Sequence, residues 1–323
     1  MNILLIGPLW GNAKHGAEPG VYDALVELGH NVAVWDFRTK RFRNLNGVDL
    51  DNIDPNNPPT NIATPYDMVL SLGAGLTENI INTTLWNCIK CCAVRVLWNS
   101  EPIRLGNYRG RIELNQKEFT TFCTFDESEV PIYAELGIQA HFLPQGFNPK
   151  WYHPLQLPPS QRFPGHVCFI GSVGGKWENR THLLNRVQQL GFKIHVASIF
   201  DAAKVNHAYN MHDAVLNLGL YCPQSGPAED LKAFGLQQRV FECIGAGRVC
   251  VTNEIPGGTN KLLVHNENVL FYNRDNLEDV LHLVIDKRHR KRIEAGVMRI
   301  REQHTYEARM KRLLSIVQPL IGG

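Results

Sequence analysis

Two kinds of hydrophobic pattern alternate along this chain. Short apolar-rich runs occupy residues 3–6, 32–35, 67–72, 94–98, 119–125 and 140–143, and again 167–170, 192–197, 214–218, 249–251 and 269–272. Runs of that length, bounded by turn formers, read as strands buried on both faces of a sheet. Between them lie stretches whose apolar residues recur every three or four positions, the spacing of a helix with one apolar stripe. Val21, Leu25 and Leu28 make such a stripe, opened by Glu18-Pro19 and closed by Gly29. Leu183, Leu184 and Val187 make another, closed by Gly191, and Leu236, Val240, Cys243 and Ile244 a third, followed by Gly245 and Gly247. Both of those glycines are expected to stop the helix through positive φ. Strand, helix and parallel strand in succession form right-handed βαβ units, so the chain is expected to be α/β.

The pattern breaks once. From Pro144 to Pro164 prolines are frequent and periodicity is lost, as in a linker between domains. The expected organisation is a Rossmann-like domain over 1–145, a linker over 146–165 and a second Rossmann-like domain over 166–303. A C-terminal helix over 304–323 should pack back on the first domain: Tyr306, Met310, Leu313, Leu314 and Val317 form a stripe that needs a partner surface. A chain of 323 residues has room for two such domains.

At 44% hydrophobic and 20% charged residues, the chain can build large cores and is not of the disordered class. A formal net charge of +2 gives no general attraction to nucleic acid or membrane. Cys88, Cys91 and Cys92 cluster, but no second CxxC or CxxH pair completes a zinc set, so reduced, packed cysteines are expected. The chain opens directly on a strand, and no apolar run is long enough to span a bilayer. A cytoplasmic location is the expectation, with no cofactor and no metal.

Candidate chemistry collects at strand ends, where parallel sheets bind ligands. Gly171-Ser172-Val173-Gly174-Gly175-Lys176 follows one strand and leads into a helix carrying Arg180. Backbone amides of such a turn can cradle phosphate, with Lys176 and Arg180 nearby, or the turn serves geometry alone. Lys176 is followed by Trp177, so the Walker pattern fails and ATPase or kinase chemistry is not supported. Asn217 ends another strand. Gln238, Arg239 and Glu242 share one helix face, on which Arg239 suits a phosphate and Glu242 the hydroxyls of a ribose. The alternative is a surface ion pair between Arg239 and Glu242. In the first half, His15 and Glu18 border the loop after the first strand, and Glu101 follows the strand over 94–98. Asp49-Leu-Asp51 spells a metal-binding DxD but follows no buried strand and sits among loop formers, in a stretch over 44–65 that reads as loop. Residues 287–292, KRHRKR, form a basic run suited to nucleic acid, to anionic lipid or simply to solvent.

Two α/β halves, a proline-rich hinge and a terminal helix together resemble the two-domain GT-B glycosyltransferase architecture. Arg239-Val-Phe241-Glu242, Gly245-Ala-Gly247, Asn268-Val-Leu-Phe271-Tyr272, Leu277 and His304-Thr305-Tyr306-x-x-Arg309 resemble the CgeB-like spore-maturation family. Phe169-Ile-Gly171-Ser172, Arg180, and Tyr133-x-x-x-Gly137 leading to Leu143-Pro144 add to the likeness. The resemblance covers residues 120–318 well and the start more loosely. It implies a nucleotide-diphosphate sugar donor held by the second domain, with Gly171 and Ser172 at the diphosphate, Arg239 facing phosphate charge and Glu242 on the ribose. Lys176, Arg180 and Asn217 belong to the same donor side. The related EX7E motif has a Glu eight residues before the second one; here that position is Phe234.

The implied reaction is sugar transfer to an unidentified acceptor hydroxyl. Arg239, Lys176 or Arg180 and backbone amides, rather than a metal, would stabilise the departing diphosphate. An acceptor-side base would come from His15, Glu18 or Glu101. Two rivals stand beside this reading. One is a protein that binds nucleotide or sugar without turnover, motivated by Phe234. The other is a glycosyltransferase acting on modified DNA bases, motivated by the basic run.

Overall fold

The computed structural model describes residues 1–9, 16–58, 65–73, 81, 83–103, 108–175, 178–219, 235–253 and 262–321. The chain forms two compact units, Met1–Gln145 with Tyr306–Gly323, and Gly146–Thr305.

The first unit is built on an eight-stranded sheet in the order β4-β3-β2-β1-β5-β6-β7-β8. Its strands are β1 Asn2–Ile6, β2 Asn31–Asp36, β3 Arg41–Arg43, β4 Asp49–Leu50, β5 Met68–Leu72, β6 Val94–Asn99, β7 Thr121–Thr124 and β8 Ala140–Phe142. All pairings are parallel except those of β3 with β2 and β4. Side chains alternate across β1, so Ile3 and Leu5 enter one core while Leu4 and Ile6 enter the other. Helix α1, Ala17–Glu27, contributes Val21 and Leu25 to the first core, and the C-terminal helix Tyr306–Val317 contributes Tyr306, Met310, Leu313 and Val317. On the other face lie α2, Thr84–Ile89, α3, Tyr108–Asn115, and α4, Val130–Glu135, through Trp86, Ile112 and Tyr133. Two covered faces are why these strands read as unbroken apolar runs. The C-terminal helix meets α1 at Gly20, where an added Cβ would lie 2.4 Å from Tyr306 Cδ2.

Two features of this unit depart from the sequence expectation. The stretch over 44–65 contains β4, which pairs antiparallel with β3 and carries Asp49 of the DxD, with Asp51 just after it. Asp49 pairs with Arg43 at 2.7 Å and Asp51 with Arg41 at 2.6 Å, so opposite charges laid across an edge ribbon explain both the strand and the acidic pair. Helix α3 was not legible because Ile112 is its only buried residue, too little for a stripe.

The second unit carries a five-stranded, wholly parallel sheet in the order β10-β9-β11-β12-β13. Its strands are β9 Phe163–Ile170, β10 Lys193–Ala197, β11 His212–Asn217, β12 Val249–Asn253 and β13 Leu270–Tyr272. The helices are α5 Glu178–Gln189, α6 Ala202–Met211, α7 Gln238–Gly245, α8 Leu277–Ile285 and α9 Lys287–Ile300.

Residues 146–165, read from their prolines as linker, belong to this second unit. Phe147 and Tyr152 are buried, and the backbone amides of His153 and Leu155 donate to the side chains of Asn206 and Asn210 at 3.2 and 2.9 Å. Those two asparagines line the buried side of α6. Their polarity interrupts the apolar stripe, which is why the sequence did not announce that helix.

Candidate functional site

The order of strands fixes where a ligand can enter the second unit. The chain leaves β9 through α5 to β10 on one side, then returns through α6 to β11 on the other. At such a reversal the two crossovers diverge and leave a crevice beyond the carboxyl ends of the strands. Gly171 and Ser172 follow β9 at this point, and Asn217 ends β11.

Helix α7 brings a cation to the same place. Arg239 is its second residue, and its guanidinium lies against Gly171: a Cβ added to Gly171 would stand 3.2 Å from Arg239 Nη2. The Arg239 Cζ is 5.7 Å from the centre of the Phe169 ring. Arg239 Nη1 is buried and has no hydrogen-bond partner among the described residues. Burying a donor of a charged group without an acceptor costs the folded state, a cost that an anion beside it would relieve. The side-chain amide of Asn217 donates to Thr252 Oγ1 at 2.9 Å, while its Oδ1 is buried without a donor among the described residues. Asn253, at the end of β12, accepts from the Gly219 amide at 2.8 Å.

Arg180 is held differently. It is buried on α5 and donates from Nη1 to the Ser172 carbonyl at 3.2 Å, while the Gly174 amide donates to Thr181 Oγ1 at 3.2 Å. Arg180 therefore tethers the glycine-rich turn. Lys176 lies outside the described residues.

Glu242 is only 7% exposed, deeper than a polar helix face implies, because α7 is covered on nearly every side. Its Oε1 accepts from Gln238 Nε2 at 3.0 Å, and the Tyr209 hydroxyl stands 3.5 Å from Oε2. Burial pushes its carboxyl up from an ordinary 4.5 to about 7, against the opposing pull of Arg239, Tyr152, Gln238 and Tyr209. The group thus holds a proton that the unfolded chain releases. Its contribution to stability is fully present at acid pH and falls as pH rises from 4.5 to about 7. Glu242→Gln is expected to abolish that fall. The variant should compare least well with the parent at pH 5 and best at pH 8. A swing on the order of 2 to 3 kcal/mol is expected in urea unfolding; a difference that does not vary with pH would contradict it.

In the first unit, the equivalent reversal lies between β1 and β5. Glu18 occupies it: a Cβ on Gly7, the residue after β1, would lie 2.8 Å from Glu18 Cγ. Burial pushes the Glu18 carboxyl up to about 7, its own backbone amide and Arg38 pull it down, and Asp36 adds a small push upward. Asp36 ends β2 and accepts from the amides of Leu9, Arg38 and Thr39. Glu101 follows β6, two strands along from β1. Its backbone is clamped by Asn99, and its side chain bonds the Tyr108 hydroxyl, whose pKa is raised by burial and then by the charge of Glu101. His15 lies outside the described residues.

Phe169 also shapes these surroundings and entered the sequence reading only as a motif residue, while Tyr152, Tyr209, Thr252 and Asn253 were not singled out in the sequence. Thr252-Asn253 did carry a signal, a polar pair closing a buried apolar run. The aromatic residues carried none, because core aromatics look alike in sequence.

Residues 156–315 match the family model described as glycosyl transferase-like. The second unit carries a glycosyltransferase domain. Solved structures extend the likeness over the whole chain. Sucrose-phosphate synthase from Thermosynechococcus elongatus aligns with a TM-score of 0.66 at 11% identity, covering 99% of each chain. An alpha-glucosyltransferase in complex with UDP aligns with a TM-score of 0.63 at 10% identity, covering 98% of this chain and 100% of that one. HepE from Anabaena, in complex with UDP-glucose, aligns with a TM-score of 0.61 at 13% identity, covering 98% and 99%. The chain has the GT-B glycosyltransferase fold, two Rossmann-like domains with the C-terminal helix returned to the first. No curated protein matches it in sequence. No helix among the described residues of this GT-B chain is long and apolar enough to cross a membrane.

Proposed function

We propose that this protein moves a sugar from a uridine-diphosphate sugar to an acceptor hydroxyl, and that it is a CgeB-like member of the GT-B transferases. The observation that carries this reading is the buried Nη1 of Arg239, without a partner among the described residues, on a guanidinium set against the bare backbone of Gly171 at the β9–β11 reversal. Similar folds hold UDP or UDP-glucose, which favours uridine among the nucleotides.

In this reading the diphosphate lies along Gly171 and Ser172, with Arg239 paired to it. Arg180 keeps the turn in place. Asn217 Oδ1 offers an acceptor to the donor, and Glu242 takes the ribose hydroxyls through the acceptor sites that Gln238 and Tyr209 leave over. The bond from the anomeric carbon to the β-phosphate oxygen breaks as the acceptor oxygen bonds to that carbon. Negative charge grows on the departing diphosphate, where Arg239 and the turn amides stabilise it without a metal. The acceptor proton passes to a general base. Glu18, held near neutrality, is the described residue best suited to it, with Glu101 and His15 as the other candidates.

The test is calorimetric titration of UDP in excess EDTA, followed by transfer assays with UDP-sugars under the same conditions. Binding and turnover that survive chelation are expected; turnover restored only by a divalent cation would overturn the metal-free mechanism. Phe234, in place of the first motif Glu, favours a second reading in which donor binds without transfer. Tight UDP binding with no transfer to sugar, lipid, peptide or modified-DNA acceptors would establish it.

A further inference from the structure

Helix α9 presents a face with no role in the transferase reading. At about 100° per residue, Lys287, Met298, Lys291, Ala295, Arg288, Arg299 and Arg292 follow one another around an arc of about 140°. The five cations are exposed, and Met298 between them is 48% exposed. Among the described residues none of the five makes an ion pair. The acidic groups of the helix are engaged elsewhere. Asp286 caps it by accepting from the amides of Arg288 and His289, and Glu294 turns away to Arg248 at 3.0 Å. Arg290 pairs with Asp213 at 2.8 Å, and Arg292 donates from Nη2 to the Asn266 carbonyl at 3.3 Å without meeting a carboxylate.

This arrangement works against the helix. Cations in a first turn oppose the positive end of the dipole. Lys287 with Lys291, and Arg288 with Arg292, set like charges at i,i+4. His289 shares the field: after burial, the charge of Arg292 helps hold its imidazole below the usual range. A solvated face selected for stability would interleave carboxylates here.

We infer that this face of α9 is a docking surface for an anionic phospholipid bilayer, which brings the protein to a membrane without spanning it. Three observations favour lipid over nucleic acid. The face is a single helix side, not a groove that could follow a strand. It carries no aromatic, Asn or Gln to stack on or read a base. Its apolar member, Met298, lies among long lysine and arginine stems, the composition that settles at a headgroup boundary.

The experiment is co-sedimentation of the full chain with vesicles of phosphatidylcholine alone, or with a quarter phosphatidylglycerol, at low and high salt. Binding to anionic vesicles only, released by salt, is expected. The quadruple variant Lys287→Gln/Arg288→Gln/Lys291→Gln/Arg292→Gln should lose about fivefold in affinity per cation, more than a hundredfold in all. These side chains are exposed and mutually repulsive, so the variant should melt no lower than the parent and bind UDP equally well. Failure of the parent to bind anionic vesicles, or retained binding by the variant, would overturn the inference. Tighter binding to duplex DNA than to the vesicles would overturn it in favour of nucleic acid.

Discussion

Arg239→Ala is expected to raise the dissociation constant of UDP by about 30- to 1,000-fold, the effect of truncating one side of a buried, hydrogen-bonded charge pair, roughly 2 to 4 kcal/mol. Arg239 Nη1 is buried without a partner among the described residues, a desolvated donor that a phosphate would satisfy. The same group should discriminate by charge. Uridine, which lacks phosphate, should bind parent and variant alike, while UDP should separate them. Arg239→Lys should recover only part of the loss, because an ammonium cannot reproduce the planar fork beside Gly171 and the Phe169 ring. Titration calorimetry reads all of these arms. Equal UDP affinity in parent and Arg239→Ala would remove the diphosphate from this crevice and, with it, the observation on which the transferase reading stands.

Gly245→Ala is expected to destabilise the second unit by about 2 to 3 kcal/mol, at the upper end of overpacking costs. The added methyl would sit 2.5 Å from Phe147 Cδ2 and 2.7 Å from Tyr152 Cβ. Neither neighbour can give way easily. Both rings are buried, and Arg301 clamps the region by donating to the Gly245 and Tyr152 carbonyls at 2.9 and 3.1 Å while standing 5.2 Å from the centre of the Phe147 ring. Gly137→Ala is the contrast: a Cβ there meets nothing within 4 Å, and only the positive φ of 74° is strained. That variant should cost about 1 kcal/mol. Urea unfolding of the full chain distinguishes the two, and equal losses would show that Gly245 has no packing role.

The same pair of glycines shows where sequence reasoning reached its limit. Gly245 and Gly247 were both expected to end α7 through positive φ. Gly247 does so, at φ +70°. Gly245 is the last residue of the helix and its φ is not positive; it is small because Phe147 and Tyr152 lie on it. Spacing can identify a helix end, but a close approach by residues from nearly a hundred positions earlier leaves no local trace. The basic run was legible as charge, yet only the helix showed that Arg290 turns inward to Asp213 while its neighbours face outward.

Taken alone, the sequence determined the succession of elements, the parallel sheets and the break between two α/β halves. Strands covered on both faces must be apolar throughout, helices on a sheet must repeat every three to four residues, and both rules act locally. It also marked Gly171 and Asn217 as residues at strand ends and Arg239 as one on a polar helix face. Only the tertiary structure decided which ends adjoin. Crossovers of opposite sense about β9 set Gly171 beside Arg239, and strand pairing joined Asn217 to Thr252 across 35 residues. The tertiary structure also decided that Arg180 tethers a turn, that Glu242 is buried and nearly neutral, and that the proline-rich stretch is part of the second unit. Those outcomes depend on desolvation and on contacts between distant segments, which exist only once the chain has closed on itself.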